Sequence, residues 1–325
     1  MESHVFFKKG VIMIFIIIAL LTSISTYILA ESDGQVTADW HYVSFDEGMQ
    51  KSHYFDSILA TEKITGLSGP ALYTFFKNIY DEYNFSAIER SFDLKIPKII
   101  HQIWLGSPLP EAFIELQQSW IELHLGRGWS YKLWTDADVA QMRLYNQEFY
   151  DATDNYGVKS DILRWEILYL YGGVYIDMDF ECLRSLDDFH YTYDFYTALQ
   201  PLDTLFVQLG AALVGARPGH PILKHCIETI KTDWSLQGAP RKTGPVHFTK
   251  SFYACAGQDG NKNIALPAFY FYPLGCRETE INRTQWIQQG SYAVHWWAKS
   301  WMPKTYRPSI FKDIHNDAST VNWNN

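Results

Sequence analysis

The chain has 325 residues, of which 47% are hydrophobic and 16% aromatic, and its formal net charge at pH 7 is −9. This length and apolar content are enough for one substantial α/β domain with an appendage. The negative charge, with no basic run beyond Lys8-Lys9, argues against nucleic acid as a partner. No Cys-x-x-Cys pair is present, which argues against a zinc site.

A targeting signal is predicted in residues 1–30. Lys8-Lys9 precede about twenty mostly apolar residues, Gly10 to Ala30, which is long enough to span a bilayer as a signal anchor with a cytoplasmic N-terminus. A cleaved signal peptide ending at Ala30 is the alternative. In both cases the rest of the chain faces away from the cytosol. Such a compartment would allow two disulfides, in three possible pairings, among Cys182, Cys226, Cys255 and Cys276.

Residues 31–92 are expected to form a stem with helical pieces, followed by a main domain at 93–305 and a tail at 306–325. Pro70 is expected to open one stem helix. Its apolar stripe should pack on the main domain, because exposing six such side chains would be costly. The stripe consists of Leu72, Phe75, Phe76, Ile79, Tyr80 and Tyr83.

The first strand of the main domain is predicted at Lys98 to Leu105, between Pro97 and Gly106, and it belongs to a nucleotide-binding α/β unit. Ligands of such units gather at the carboxyl ends of strands, where Trp104 lies. Its ring would stack on a nucleobase there, with a core tryptophan as the alternative. Further elements are predicted at Glu111 to Leu125 (helix), Phe195 to Leu199 and Ala211 to Val214 (strands), and Ile222 to Lys231 (helix).

The stretch from Ser160 to Phe180, SDILRWEILYLYGGVYIDMDF, carries most of the chemistry. Ser160 is predicted to cap a helix whose first turns place Asp161 and Arg164 on one face. A surface ion pair is the alternative role for these two residues. Gly172-Gly173 is expected to end the helix, before a buried strand at Val174-Tyr175-Ile176.

Two D-x-D pairs occur, and their contexts differ. Asp136 and Asp138 follow a short strand, so Thr135 or Asp136 is expected to cap the next helix. Asp177 and Asp179 follow the predicted buried strand, where a spacing of two would point both carboxylates the same way. Convergent carboxylates are ligands for Mg²⁺ or Mn²⁺, whose shells are often completed by substrate phosphates. The second pair therefore indicates chemistry on a diphosphate.

This block resembles the D-x-D region of the retaining glycosyltransferases grouped with the yeast initiating α-1,6-mannosyltransferase and the inositol-phosphoceramide mannosyltransferases. It is similar, more distantly, to the glucosyltransferase domains of large clostridial toxins. The resemblance covers roughly residues 95–302 and implies a glycosyltransferase A-type fold, in which a nucleotide-binding sheet abuts an acceptor half. Besides Ser160 to Phe180, it rests on IPKIIHQIWLG at Ile96 to Gly106, on Thr243-Gly244-Pro245, and on His295-Trp296-Trp297 with Ser300-Trp301.

The resemblance implies a role for each residue of the D-x-D block. Asp177 and Asp179 would hold Mn²⁺ or Mg²⁺ against the diphosphate of a nucleotide-sugar donor. Arg164 would neutralise diphosphate charge, and Asp161 would contact the sugar hydroxyls. The reaction would transfer a hexose, with retention, to a hydroxyl of a glycan, lipid or protein.

Three further residues, Trp104, His295 and Trp301, each have alternative possible roles. The resemblance places a nucleobase on Trp104. His295 would be either a metal ligand or a phosphate or structural contact. Trp301 would belong to a closing segment over the leaving group or pack in the core. The Thr243-Gly244-Pro245 turn would lie in the acceptor pocket.

The sequence leaves several alternatives open. The donor is a UDP- or GDP-hexose, and the acceptor is a glycan, glycolipid or protein. The chain is either an enzyme of a Golgi-like lumen, held by a type II single-pass anchor, or a protein exported from a bacterium to work inside a host. A metal-dependent nucleotide-sugar phosphohydrolase and a non-catalytic, membrane-tethered carbohydrate-binding relative are the competing functions.

Overall fold

The computed structural model describes residues 42–50, 64–258, 260–278, 283–300 and 302. The chain divides into two units, Met1–Trp40 and His41–Asn325, and all described residues belong to the second. The anchor or signal peptide expected at 1–30, the tail at 306–325 and Trp301 lie outside the described residues. Within the described ranges, no helix combines the length and apolarity that a membrane crossing requires.

A mixed six-stranded sheet forms the centre of the second unit. Its strands are β1 (Ile99–Ile103), β2 (Ser130–Trp134), β3 (Gly173–Ile176), β5 (Phe195–Leu199), β6 (Leu209–Ala216) and β7 (Asn263–Leu266). Their order is β2-β1-β3-β6-β5-β7, and β6 alone runs antiparallel to its neighbours. A second, two-stranded antiparallel sheet joins β4 (Phe180–Cys182) to β8 (Ala293–His295). The expected α/β class is confirmed.

Helices cover the sheet. They are α1 (Phe45–Gly48), α2 (Gly69–Tyr83), α3 (Ile114–His124), α4 (Asp136–Val139), α5 (Gln147–Asp151), α6 (Tyr156–Tyr171), α7 (Asp187–Thr192), α8 (Pro221–Asp233), α9 (Ala239–Lys242), α10 (Pro245–Cys255) and α11 (Arg283–Gln289). Short 3₁₀ turns occupy Glu111–Phe113, Leu125–Arg127, Leu202–Thr204 and Ala268–Tyr270.

The predicted strands match the observed ones at their centres. β5 has the predicted bounds, and all five of its residues are buried. β6 is longer than predicted, because it pairs with both β3 and β5 along its length. β1 is shorter than predicted, and its pairing with β2 ends at Ile103 and Trp134.

Helix α6 begins earlier than the sequence predicts. Asn155, not Ser160, is the N-cap: its Oδ1 accepts hydrogen bonds from the backbone N–H groups of Gly157 and Val158 at 2.9 and 3.2 Å. The predicted end is confirmed at Gly172, where φ is +63°. A Cβ at Gly172 would lie 2.6 Å from Cδ of Pro218, so both the backbone and the space favour glycine there.

The apolar stripe of α2 packs on the main body, as expected. Leu72, Phe76 and Tyr80 are buried, and the Tyr80 hydroxyl lies 3.0 Å from the hydroxyl of Tyr270. The helix also contacts β7. The boundary expected at residues 92 and 93 remains a prediction.

The two disulfides that the sequence would allow are not formed. None of the four cysteines is disulfide-bonded, and Cys182 and Cys226 are buried. They lie on separate elements, β4 and α8, while Cys255 ends α10 and Cys276 follows the last 3₁₀ turn. The Cys182 thiol instead donates to the carbonyl oxygen of Arg184 at 3.2 Å.

Candidate active site

A cleft of about 480 Å³ opens at the carboxyl ends of β1 and β3. Because β6 runs antiparallel, its first residues reach the same edge of the sheet, and Ala211 and Ala212 also line the cleft. Asp161, Arg164, Asp177, Asp179 and His295 all line it. Such an edge is the usual ligand site of an open α/β sheet, and the volume suits a small organic ligand.

The predicted geometry of the aspartate pair is wrong in one respect. Asp177 directly follows β3, but Asp179 lies in the turn between β3 and β4 rather than on the strand. The backbone N–H of Asp177 donates to the carbonyl oxygen of Ala212 at 2.8 Å, and that of Phe180 donates back to Asp177 at 3.2 Å. The turn, rather than strand alternation, therefore brings the two carboxylates together.

His295 reaches this turn through strand pairing. On the two-stranded sheet His295 lies opposite Phe180, the residue after Asp179. Its Nε2 lies 3.1 Å from Oδ1 of Asp179, and its Nδ1 is buried without a partner among the described residues.

The residues at this turn fit a divalent cation. One ligand atom from each of Asp177, Asp179 and His295 lies within 4.8 Å of the others. Two carboxylates suit Mg²⁺ or Mn²⁺, and an added imidazole is a common ligand of transition metals. Three protein ligands leave further coordination positions for a substrate.

Asp179 is also fixed by the segment after β8. Its Oδ2 accepts the backbone N–H of Ala298 at 2.8 Å, and its carbonyl oxygen accepts that of Trp296 at 2.9 Å. Burial acts to raise the pKa of Asp179, but the contacts with His295 and Ala298 outweigh it and hold the pKa below its usual range. Asp179 therefore tends to be a carboxylate.

Arg164 lies between two aspartates. Its Nη2 is 3.0 Å from Oδ1 of Asp161 and 3.4 Å from Oδ1 of Asp177, and its Nη1 donates to the carbonyl oxygen of Ala211. Both Asp161 and Arg164 are buried, so they do not form a surface ion pair. The Tyr175 hydroxyl also donates to Oδ1 of Asp177, at 2.6 Å. One guanidinium thus joins helix α6, the aspartate turn and β6.

Asp161 makes its second contact with the Thr243-Gly244-Pro245 turn. The Thr243 hydroxyl donates to Oδ2 of Asp161 at 2.8 Å, and a Cβ on Gly244 would lie 3.1 Å from the same oxygen. Burial raises the pKa of Asp161 to about 6, against the opposing effects of Arg164 and Thr243. Pro245 itself lines the cleft, so the turn is part of its wall.

Trp104 lies at the boundary between the core and the cleft. It is only 8% exposed and packs on Phe113, with ring centroids 5.0 Å apart. It also lines the cleft, and its Nε1 donates to Oγ of Ser107 at 3.1 Å. Most of the ring is therefore core, with one part facing the cleft.

The other D-x-D pair has a structural role. Thr135 is the N-cap of α4, and Oδ2 of Asp138 accepts from both the backbone N–H and the hydroxyl of Thr135, which confirms the capping prediction. Oδ2 of Asp136 accepts the backbone N–H of Gly106 at 2.7 Å. Asp136 thus fastens the turn that follows Trp104.

Several residues that sequence reasoning did not single out also line the cleft: Tyr156, Gln200, Thr204, Gln208, Arg277 and Lys299. None belongs to a motif with recognisable spacing. They reach the site through the order of the strands and through loops that return to the same edge of the sheet.

Comparisons with known proteins agree with this site. Residues 110–196 match the family described as the glycosyltransferase sugar-binding region containing a DXD motif. The chain is 27% identical over 228 residues to an uncharacterized glycosyltransferase of Acanthamoeba polyphaga mimivirus, covering 66% of this chain and 88% of the viral protein.

Two yeast relatives are also similar. Inositol phosphoceramide mannosyltransferase 2 of Schizosaccharomyces pombe is 28% identical, over 71% of this chain and 61% of that protein. A mannosyl phosphorylinositol ceramide synthase of Saccharomyces cerevisiae is 33% identical, over 54% of this chain and 48% of that protein. The chain thus spans less than two thirds of these yeast relatives.

Among solved structures, the PaToxG glycosyltransferase aligns with a TM-score of 0.45 and 18% identity, over 57% of this chain and 78% of that one. The family match on residues 110–196 includes Asp161, Arg164, Asp177 and Asp179. Residues 110–196 are therefore similar to the DXD-containing sugar-binding region of glycosyltransferases.

Proposed function

We propose that the chain transfers a hexose from a nucleotide-diphosphate sugar to an acceptor hydroxyl, with a divalent cation and with retention at the anomeric carbon. One observation carries the proposal: ligand atoms of Asp177, Asp179 and His295 lie within 4.8 Å of one another, and Arg164 lies beside Asp177. A pair of carboxylates next to a fixed guanidinium is suited to a bound diphosphate.

Asp179, Asp177 and His295 would hold the Mn²⁺ or Mg²⁺. When bound, the cation would supply Lewis-acid stabilisation of the departing nucleotide diphosphate. Arg164 would add positive charge at the same group, and its position is fixed by Asp161, Asp177 and Ala211. Asp161 would orient the sugar, and the exposed part of Trp104 would contact the base.

Retention follows from the family resemblance, and no side chain of the cleft is assigned as a covalent nucleophile. The acceptor hydroxyl would attack from the face of the leaving group. The bond from the anomeric carbon to the phosphate oxygen breaks as the bond to the acceptor oxygen forms, and a diphosphate oxygen takes the hydroxyl proton. NMR of the first-formed product tests this step, since an inverted anomer would refute it.

The names of the yeast relatives suggest the substrates. Both describe mannosyl transfer to an inositol-phosphate sphingolipid. We take a mannosyl donor and a glycolipid acceptor as the first candidates, with other UDP- or GDP-hexoses and glycan or protein acceptors next. The signal predicted at residues 1–30 would place the catalytic domain on the non-cytoplasmic side of a membrane, and protease protection of tagged vesicles would test that orientation.

The central experiment follows nucleotide release. The full chain, in detergent, is incubated with Mn²⁺ and a panel of UDP- and GDP-sugars without acceptor, beside Asp179→Ala. Slow, metal-dependent release of nucleotide diphosphate from one donor, abolished in Asp179→Ala, is expected. Nucleotide monophosphate with sugar phosphate would indicate a phosphohydrolase instead. The absence of both nucleotide release and metal-dependent nucleotide binding would indicate a non-catalytic relative.

A further inference from the structure

Two glutamines lie side by side in the cleft wall. Gln200 follows β5 and Gln208 precedes β6, and the backbone N–H of Gln200 donates to the carbonyl oxygen of Gln208 at 2.9 Å. Their side chains also bond, since Nε2 of Gln208 donates to Oε1 of Gln200 at 2.7 Å. Both line the cleft and are only 8% and 7% exposed. The pair is therefore held in place by both main-chain and side-chain contacts.

The Gln208 side chain is not fully satisfied. Its Oε1 is buried and has no partner among the described residues. Leaving a buried acceptor unpaired costs about 1–3 kcal/mol, so such groups in native proteins usually have a reason. A ligand hydroxyl that donates to Oε1 of Gln208 would remove this cost. The amide of Gln200, which accepts through Oε1, keeps its own N–H donors for a second hydroxyl.

The strand order places this pair on one side of the metal-ligand turn. β1, which Trp104 follows, lies on one side of β3, whereas β6 and β5 lie on the other. Neighbouring strands are about 4.8 Å apart, so the end of β5 is roughly 10 Å from that of β3 and roughly 14 Å from that of β1. A donor with its base near Trp104 and its diphosphate near Asp177 would direct its sugar toward the two glutamines.

Resting on the proposed function, we propose that Gln200 and Gln208 form a hydroxyl-binding subsite for a sugar or similar polyol. Gln208 supplies an acceptor and Gln200 a donor, a combination that matches two neighbouring hydroxyls. The bound polyol is either the transferred hexose or the acceptor. Both sources share this chemistry, and the experiment separates them.

The first test measures binding without turnover. Saturation-transfer difference NMR is recorded on the full chain with methyl α-D-mannopyranoside and with myo-inositol. The wild type is expected to give a signal with at least one probe, and Gln208→Leu is expected to reduce it at least five-fold. The matched control is Gln117→Leu: Gln117 also makes a side-chain hydrogen bond, to Tyr131, but it does not line the cleft.

A thermal melt of the same variants separates a binding role from a structural one. Gln208→Leu removes an unpaired buried oxygen but also the hydrogen bond to Oε1 of Gln200, so the two effects oppose each other and the melting temperature should change little while binding falls. No signal from either polyol in the wild type, or equal signals in the wild type and Gln208→Leu, would overturn the subsite. A large fall in melting temperature would assign Gln208 a structural role and overturn it as well.

Competition identifies the source of the polyol. The measurement is repeated with Mn²⁺ and the 2-fluoro analogues of GDP-mannose and UDP-glucose. Loss of the polyol signal assigns the subsite to the transferred hexose, and persistence assigns it to the acceptor. Binding through Gln208 with neither nucleotide release nor metal-dependent nucleotide binding would refute the transferase but keep the subsite, whereas normal turnover with unchanged binding in Gln208→Leu would refute the subsite alone.

Discussion

The hydroxyl of Thr243 donates a 2.8 Å hydrogen bond to the carboxylate of Asp161, although 82 positions separate the two residues in the chain. Both side chains are buried. This contact ties the turn at Thr243-Gly244-Pro245 to the helix that carries Arg164. Two of the motifs recognised in the sequence are therefore parts of one hydrogen-bonded unit.

Thr243→Val should weaken this unit. Valine keeps the shape but removes the donor, and a hydrogen bond to a charged group contributes about 1.5–3 kcal/mol. We expect the free energy of unfolding to fall by about that amount in urea denaturation, and the KM for the donor to rise. Thr243→Ser, which keeps the hydroxyl, is the control, and an equal loss in both variants would contradict the role of the hydrogen bond.

The two D-x-D pairs should respond differently to the same change. Asp179→Asn removes a proposed metal ligand, whereas Asp136→Asn keeps an oxygen able to accept the N–H of Gly106. Even an outer-shell partner of a metal ligand is worth about 10- to 100-fold in metal affinity. We therefore expect metal-dependent nucleotide binding, measured by calorimetry, to fall about 100-fold or more in Asp179→Asn and to change little in Asp136→Asn. Equal losses of nucleotide binding in the two variants would contradict the different roles assigned to the two D-x-D pairs.

Arg164→Lys should lower the free energy of unfolding, although it keeps the positive charge. An ammonium cannot reach Asp161, Asp177 and the Ala211 carbonyl with one rigid group, so a buried carboxylate loses its partner. Breaking a buried ion pair costs about 3–5 kcal/mol. Chemical denaturation should show a loss of that order.

The control for that experiment is Arg90→Lys. Arg90 pairs with Asp188 at 2.9 Å, but its side chain is 42% exposed, and exposed pairs contribute about 1 kcal/mol or less. Similar stability losses in the two variants would show that Arg164 is an ordinary ion-pair partner.

Four buried histidines should remain neutral in mildly acidic solution. Each has one ring nitrogen that accepts a hydrogen bond and one that donates, which fixes the neutral form. The bonds involve Trp134 and Gly172 (His101), Leu186 and Trp120 (His124), Tyr196 and Ile96 (His190), and Ile222 and Asn263 (His220). Burial lowers the pKa of His190 to about 3 and of the other three to about 4.

These lowered pKa values give the sign of the pH dependence. The pKa of histidine in the unfolded chain is about 6.5. Below that pH the unfolded chain binds protons that the native chain does not bind, so each histidine lowers the free energy of unfolding as the pH falls toward 4. The effect is about 1.4 kcal/mol per pH unit for each fully titrating group. In histidine NMR spectra the four rings should keep neutral-form chemical shifts down to about pH 5, and a ring that protonates above about pH 6 would contradict its assigned hydrogen bonds.

Local patterns in the sequence predicted the helix that carries Asp161 and Arg164, because i and i+3 spacing places residues on one face wherever the helix begins. The start itself was misassigned, since Ser160 and Asn155 are both good capping residues and only packing decides between them. The convergence of Asp177 and Asp179 was predicted correctly, but through a strand rather than the observed turn.

Long-range relationships were accessible only through the resemblance, or not at all. His295 meets Asp179 because β8 pairs with β4 in one register, and no spacing in the chain encodes that register. The glutamine pair depends on β5 and β6 being neighbours in the sheet. Both cases depend on which strands become adjacent, and one-dimensional patterns do not specify that.

Because β8 contacts the Asp179 turn, the candidate site is completed later along the chain than the central sheet. The last strand of the six-stranded sheet ends at Leu266, whereas His295 and Ala298, which hold Asp179, come about thirty residues later. During synthesis from the N-terminus, the whole central sheet can therefore assemble while the two aspartates still lack their third partner. A nascent chain of this protein would acquire its architecture first, and its proposed metal ligands would be complete only with β8, the last strand among the described residues.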